Sequence, residues 1–190
     1  MSHRAILSMV QIALFAAVLV ILSQISIPTP WGVPFTLQTF AVALTAYALG
    51  WKRGIIAVAV YLMLGIVGIP VFSSFSGGIA KLVGITGGYL WGFLPMAALC
   101  GLGIEYWKKQ PCAKTRICCV LLSAAGLASC HLPGVIQFAL VSGSTMTNAF
   151  LVASLPYLLK DGVSLVLAFG LAIAIRRATH QLTPQQEKAD

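Results

Sequence analysis

Residues Ala5–Ile25 read "AILSMVQIALFAAVLVILSQI", a stretch of the chain that contains no charged side chain. A bilayer core about 30 Å thick is crossed by a helix of about 20 apolar residues. The stretch therefore has the length of one membrane span. Arg4 precedes it as in a secretory signal, but the run is too long for a signal peptide and no small-residue cleavage site follows. We therefore expect a membrane helix that is retained.

The same apolar character extends over all 190 residues. The chain is 59% hydrophobic and 8% charged, with a mean hydropathy of +0.95, whereas soluble domains carry about 25% charged residues. We expect an integral membrane protein in the lipid bilayer of the cell (inner) membrane. The net charge of +8 does not indicate a nucleic-acid partner, because the basic residues stand in short clusters between apolar runs. The five cysteines form no C-x-x-C pair, so we expect neither metal nor cofactor.

Five further apolar runs follow the first. They predict an all-α fold of six transmembrane helices in one domain, residues 1–190, with a polar tail from about 178. The second to fourth runs are short for a span, so either their boundaries are too narrow or the connectors lie partly within the membrane. The five runs are Leu37–Gly50, Gly54–Ile69, Tyr89–Ile104, Ile117–Val141 and the segment from Pro156 to Ile175.

The basic residues indicate how the helices are oriented. With a cytoplasmic N-terminus, ten of the twelve lysines and arginines fall on the cytoplasmic side, and Lys81 and Lys160 fall on the other. Such a bias is what the positive-inside rule requires. We therefore expect both termini in the cytoplasm.

Polar residues from three distant segments fall on the outer side. They are the connector Ser26–Thr36 with Gln38 just after it, the connector Pro70–Gly88, and the start of the last helix with Lys160 and Asp161. A few fixed polar groups in an apolar, aromatic-lined cavity are typical of a ligand pocket. We therefore expect a ligand site that opens outward.

Lys160 and Asp161 are charged neighbours in an apolar helix. If Pro156 lies in the opening turn, Asp161 is about 7 Å further along the helix. Adjacent side chains point about 100° apart, so we expect no direct pairing. Asp161 either offsets the helix dipole while Lys160 reaches water, or one or both bind a ligand. The cost of ionisable groups within spans favours ligand binding for Asp161 and leaves both interpretations open for Lys160.

The second connector is rich in glycine, including Gly77, Gly78 and Gly87. Glycines either bring backbone close to a ligand or simply form turns. The chain contains no Walker A sequence, so any ATP hydrolysis would belong to another subunit.

These segments resemble BioY proteins, the substrate-binding membrane components of biotin transporters in the energy-coupling factor (ECF) class. The resemblance covers about Ala13 to Arg177. The similar stretches are "IPTPWGVPFTLQTF" (Ile27–Phe40), "YLMLGIVGIPVF" (Tyr61–Phe72), "SGG" with "LVGITGGYLWGF" (Ser76–Phe93), and Pro156 followed by Asp161.

The resemblance implies a non-enzymatic six-helix receptor for biotin that works with a membrane coupling subunit and two ATPases. The connector after the first helix would be a lid. Ala13 and Ala17 would meet the coupling subunit, since small residues four apart let helices approach closely. The expected ligand-binding residues are Trp31, Phe35, Gln38, Ser76, Gly77, Gly78, Thr86, Gly87, Tyr89, Lys160, Asp161 and Ser164.

The chain departs from the family pattern at three of its positions. Ser76 stands where Asn is common, Ile85 where Pro is common, and Ser164 where a Lys of the polar site is expected. Lys160 lies four residues before Ser164, on the same helix face. We therefore hypothesise that Lys160 supplies the missing cation.

Three other interpretations stay open at this stage. A stand-alone carrier would need no ATPase, and a receptor of the same fold could bind another vitamin. An intramembrane serine protease would need a serine and a histidine, such as Ser73, Ser74 or Ser76 with His131, but no G-x-S-G motif is present.

Overall fold

The structure, a computed structural model, describes residues 3–109 and 112–182. It is mostly helical and includes a short 3₁₀ turn, Ser73–Phe75. In chain order the elements are α1 (His3–Ser23), β1 (Ser26–Ile27), β2 (Phe35–Thr36), α2 (Gln38–Leu49), α3 (Trp51–Ile66), α4 (Ile79–Val83), α5 (Gly87–Lys109), α6 (Ala113–Ser142), α7 (Met146–Ala153) and α8 (Leu155–Leu182).

Four of the described helices are long and apolar enough to cross a membrane: Ala5–Ser23, Gly87–Lys108, Ala113–Ser142 and Leu155–Thr179. The predicted fourth run, Tyr89–Ile104, was too narrow, because its helix α5 has 23 residues and extends from Gly87 to Lys109. Helix α8 continues to Leu182 and so includes the first residues of the predicted polar tail. Residues 183–190 lie outside the described part of the chain.

Helices α2 and α3 are short, with 12 and 16 residues. They are separated by Gly50 alone, whose φ of +82° lies in the left-handed region that favours glycine. Ten of the 12 residues of α2 are buried, and α2 packs against α1, α3, α5 and α8. The second helix is therefore the centre of the bundle, and its alanines allow close neighbours on several sides.

Helices α5 and α6 form the closest pair in the bundle. A Cβ on Gly88 would lie 2.1 Å from the carbonyl oxygen of Pro133, and one on Gly92 would lie 2.6 Å from the Cα of Cys130. These glycines let the two backbones touch, as small residues do in membrane helix pairs. The pair carries Tyr89 and His131, whose rings meet edge to face at 5.7 Å.

Large apolar side chains cover the outside of the bundle. Leu14 and Ile21 of α1 and Val166 of α8 are examples, each more than half exposed. In water such a surface would be an aggregation hazard, whereas lipid tails solvate it. The exposed surface thus agrees with a multi-pass membrane protein.

The two long connectors fold at the same end of the bundle. The first forms a small antiparallel hairpin in which Ser26 pairs with Thr36 and Ile27 with Phe35, so the purely α-helical prediction missed two short strands. In the second, the 3₁₀ turn holds Ser74 at φ +58°. The Oγ atoms of Ser26 and Ser74 lie 3.1 Å apart, which joins the two connectors directly.

Candidate functional site

Asp161 is the centre of a buried polar cluster. Asp161 is 3% exposed to solvent. Its Oδ1 accepts a hydrogen bond from the Thr39 hydroxyl and lies 2.6 Å from the Lys160 ammonium. Its Oδ2 lies 3.2 Å from Nε2 of His131. Three helices, α2, α6 and α8, therefore converge on one carboxylate, which satisfies the requirement that a buried charge be paired and hydrogen-bonded.

The prediction that Lys160 and Asp161 do not pair was wrong. The two Cα–Cβ bonds diverge, but the long flexible stem of lysine lets its ammonium reach back to the neighbouring carboxylate. The Lys160 ammonium also donates to the Thr36 carbonyl at 2.7 Å and to Thr39 Oγ1 at 3.4 Å. Its three N–H groups thus each have a protein acceptor, and they connect α8 to the end of the hairpin.

His131 is held from both ring nitrogens. Nδ1 lies 2.6 Å from the Ser154 hydroxyl, and Nε2 faces Asp161. Because the carboxylate can only accept, this network places a proton on Nε2, and Nδ1 shares a hydrogen bond with the Ser154 hydroxyl. The imidazole thereby fixes the direction of the Asp161 carboxylate.

The Asp161–His131–Ser154 series resembles the order of groups in a serine hydrolase, but its serine cannot meet a substrate. Ser154 is 0% exposed and caps the end of α7. Ser73 does line the same cavity as His131, yet both ring nitrogens of His131 are already occupied. The geometry therefore does not support the serine-protease interpretation.

Gln38 begins α2 beside the cluster and is oriented by two neighbours. Its Nε2 donates to the Tyr61 hydroxyl at 2.8 Å, and its Oε1 accepts from the Thr36 hydroxyl at 3.1 Å. The amide keeps one N–H and one oxygen lone pair beyond these bonds. It can therefore donate to and accept from a ligand without losing its protein partners.

Tyr157 closes the hairpin over the cluster. Its hydroxyl donates to the Val33 carbonyl and accepts from Trp31 Nε1 at 3.1 Å. Its ring stacks on Phe35 with centroids 4.3 Å apart. The hairpin is thus held down on α8 at Tyr157 and, one turn further on, at Lys160.

A cavity lies beneath the hairpin and contains the cluster in its wall. Its free volume for a water-sized molecule is about 50 Å³, below the range of about 300–1,000 Å³ for small-molecule sites, so a ligand of that size fits only if the hairpin or the lining side chains move. Its wall is formed by Val33, Pro34, Thr36, Gln38, Thr39, Phe72, Ser73, Lys81, Thr86, Tyr89, Leu90, Phe93, His131, Tyr157, Lys160 and Asp161.

Five of the residues predicted from the sequence line this cavity, and they come from three separated segments. They are Gln38, Thr86, Tyr89, Lys160 and Asp161. Trp31 and Phe35 lie in the hairpin that covers it, in contact with Tyr157. The structure thus brings these seven residues together at one end of the bundle.

The other predicted residues lie around the cavity and outside its lining. Ser76 donates to the Ser73 carbonyl at 2.7 Å, and Gly77 and Gly78 follow it in the loop before α4. A Cβ on Gly87 would lie 1.8 Å from the Leu82 carbonyl, so this glycine is needed for packing. Ser164 is buried one turn beyond Lys160.

Sequence reasoning missed Thr39 and Tyr157, and it considered His131 only as the possible base of a serine protease. Thr39 is the neighbour of Gln38, and Tyr157 follows Pro156, so both stand beside residues that were singled out. No spacing signal connects His131 to Asp161, which is 30 positions away; only the α5–α6–α8 packing does so.

A second, larger cavity of about 510 Å³ lies between α6 and α8, next to Trp107 and Phe169. Its wall is almost entirely apolar, and its hydroxyls Tyr47 and Ser123 bond to each other at 2.6 Å. It lacks the converging polar groups that orient a polar ligand. The cavity beneath the hairpin is therefore the candidate site.

The predicted partner surface on α1 is available. Ala13 and Ala17 are exposed on the outside of the bundle, while Phe15, Ala16 and Leu19 face the core. The small-residue pair thus points away from the protein.

The sequence pattern of the BioY family matches residues 1–181. The chain is 38% identical to "Biotin transporter BioY" of Thermotoga maritima over 89% of its length and 95% of that protein. It is 37% identical to "Probable biotin transporter BioY" of Pyrococcus horikoshii, over 85% of its length and 91% of that protein.

The fold is also similar to a solved structure. A crystal structure of the S-component for biotin from an ECF-type ABC transporter superposes with a TM-score of 0.81, covering 93% of this chain and 95% of that one at 24% identity. At that identity the superposition establishes the shared fold. The family match over residues 1–181 and the relatives above 30% identity establish more: the chain belongs to the BioY family.

Proposed function

We propose that the chain is the biotin-binding membrane component of a biotin uptake transporter, and that it delivers biotin inward with an ATP-hydrolysing ECF module. Membership of the BioY family supports the substrate. The single structural observation that carries the proposal is the buried Asp161 carboxylate in the wall of a covered cavity.

The polar groups of the cavity suit the ureido ring of biotin. The ureido ring offers two N–H donors and a carbonyl, which need an acceptor and a donor. Asp161 has about four acceptor positions as a carboxylate, of which Thr39, Lys160 and His131 use three. The remaining position would accept a ureido N–H, and the free N–H of Gln38 would donate to the ureido carbonyl.

The apolar parts of biotin require aromatic and aliphatic walls. Tyr89, Leu90 and Phe93 of α5 line the cavity, and Trp31 and Phe35 of the hairpin cover it. Burying the sulfur ring and the alkyl chain against these groups would contribute about 0.8 kcal/mol per CH₂. In this proposal the hairpin is the lid, and Tyr157 holds it shut.

The proposal treats residues 1–190 as one membrane domain with six spans, α1, α2, α3, α5, α6 and α8, in the cell membrane. The short α2 and α3 would cross because α2 is shielded from lipid by its neighbours. Lys52, Arg53, Arg116 and Arg176 lie at helix ends opposite the cavity. By the positive-inside rule this end faces the cytoplasm together with both termini, and the cavity opens outward.

The ECF partners are inferred from the family and from α1. The sequence contains no Walker A loop, so energy from ATP would come from another subunit. The exposed Ala13 and Ala17 would let a helix of the coupling subunit approach closely. In this arrangement the chain binds and releases biotin and carries out no chemical reaction.

Equilibrium binding of radiolabelled biotin to the purified chain in detergent tests the proposed ligand. We expect saturable one-to-one binding that unlabelled biotin displaces and thiamine or riboflavin does not. Uptake by cells that express the chain with and without an ECF module separates the energised from the stand-alone carrier. Uptake that needs no module would refute the ECF part, and displacement by another vitamin would refute biotin.

A further inference from the structure

Two lysines line the cavity, and they differ in their surroundings. Lys160 is bonded to Asp161, Thr36 and Thr39. Lys81, in the middle of α4, lines the same cavity and is partly buried. Among the described residues, no hydrogen bond or ion pair holds the Lys81 ammonium. The cavity therefore has one engaged cation and one that is unengaged.

The formal charges of the lining lead to the same distinction. The wall contains two lysines and one aspartate, Asp161, and carries a surplus of one positive charge when His131 is counted as neutral. Asp161 neutralises Lys160, with which it is in contact at 2.6 Å. The surplus charge is therefore that of Lys81, and a ligand with one negative charge would balance it.

Lys160 is badly placed to bind an anionic ligand. A carboxylate that replaced Asp161 at its ammonium would leave the buried Asp161 without its cation, and truncating or removing one partner of such a pair is costly. The carboxylate of Asp161 would also repel an anion at that end of the cavity. Within the described part of the chain, the Lys81 ammonium has no hydrogen bond to give up and no acidic side chain in ion-pair contact.

We propose that Lys81 is the carboxylate-binding residue of the cavity, so that a ligand lies with its anionic end at α4 and its hydrogen-bond donors at Asp161. This inference rests on the proposed function, and it adds an orientation and a specificity: the site selects ligands that carry a free carboxylate. Lys160 then holds Asp161 and the hairpin in place, and Lys81 binds the anionic end of the ligand.

Binding of biotin and of biotinamide, in which a neutral amide replaces the carboxylate, tests the assignment. In the wild-type chain we expect biotin to bind about tenfold or more tightly than biotinamide, the size of one charge-assisted hydrogen bond. In Lys81→Gln we expect that preference to fall to within about twofold because biotin alone loses affinity. Lys81→Arg should keep the preference, since it keeps the charge.

Lys114→Gln is the matched control, because Lys114 is an exposed lysine at the start of α6, away from the cavity. It should leave both affinities unchanged. Thermal unfolding in the same detergent verifies that each variant is folded, and Lys81→Met provides a second neutral variant should Lys81→Gln unfold.

The outcomes separate this inference from the proposed function. A wild-type chain that binds neither compound overturns the function itself. A wild-type chain that binds both equally, or a Lys81→Gln variant that still prefers biotin about tenfold, overturns the role of Lys81 and leaves biotin as the ligand.

Discussion

Replacing Asp161 with asparagine changes one atom at the centre of the site. Oδ1 receives the Thr39 hydroxyl and the Lys160 ammonium, and Oδ2 faces His131. Asparagine offers one oxygen and one NH₂ group. If the NH₂ replaces Oδ1, it faces two donors; if it replaces Oδ2, it faces the N–H of His131. Either orientation loses at least one bond and the negative charge.

The size of the effect follows from burial. Removing one partner of a buried ion pair costs about 3–5 kcal/mol, but the Lys160 side chain is 27% exposed and water can replace part of the lost interaction. We therefore expect the free energy of unfolding to fall by about 2–3 kcal/mol. Loss of one charge-assisted bond to a ureido N–H weakens biotin binding by a further factor of about 10–150.

Thermal unfolding and equilibrium biotin binding in detergent measure the two effects separately. Glu105→Gln is the matched control: Glu105 accepts from the backbone N–H of Trp51 at 3.3 Å, at the opposite end of the bundle, and its change should leave biotin affinity unaltered. A folded Asp161→Asn protein that binds biotin as tightly as the wild type would refute the assignment of Asp161 as the ureido acceptor.

Three further predictions concern the lid, the helix packing and the partner surface. Tyr157→Phe keeps the stacked ring but loses two hydrogen bonds, so biotin should dissociate about 5–100 times faster. The control Tyr106→Phe changes an exposed tyrosine and should have no effect. Equal dissociation rates for Tyr157→Phe and the wild type would contradict the role of the hairpin as a lid. Gly88→Ala places a Cβ against a backbone carbonyl of α6 and should lower the free energy of unfolding by about 1–3 kcal/mol, as measured by thermal unfolding. The control Gly170→Ala has open space around its Cβ and should be neutral or stabilising. A Gly88→Ala protein as stable as the wild type would contradict the close α5–α6 packing. Ala17→Leu should keep biotin binding and reduce uptake through an ECF module, and unchanged uptake would show that the partner docks elsewhere.

Hydropathy predicted the bounds of most helices, including the buried α2, whose predicted run Leu37–Gly50 corresponds to Gln38–Leu49. The boundaries of α1, α6 and the start of α8 agree with the structure to within a few residues, because a span must keep its length in hydrocarbon. Length is a poorer guide for α2, which has 12 residues and is surrounded by other helices. The hairpin strands Ser26–Ile27 and Phe35–Thr36 are too short for an alternating pattern to show.

Residues of the candidate site could be identified from the sequence where a polar group interrupts an apolar run, and not where tertiary packing alone gives a residue its role. Gln38, Lys160 and Asp161 stand out because polar groups are rare in this sequence. His131 does not, since its role depends on α6 touching both α5 and α8. The pairing of Lys160 with Asp161 was mispredicted because spacing rules describe Cα–Cβ directions, whereas a lysine ammonium is carried on a four-carbon stem.

The crystal structure of the biotin complex tests the central claim most directly. Difference density for biotin should lie beneath the hairpin, with the ureido ring on Asp161 and the chain against Tyr89. Density in the apolar cavity next to Trp107 and Phe169, or a ureido ring remote from Asp161, would contradict the account.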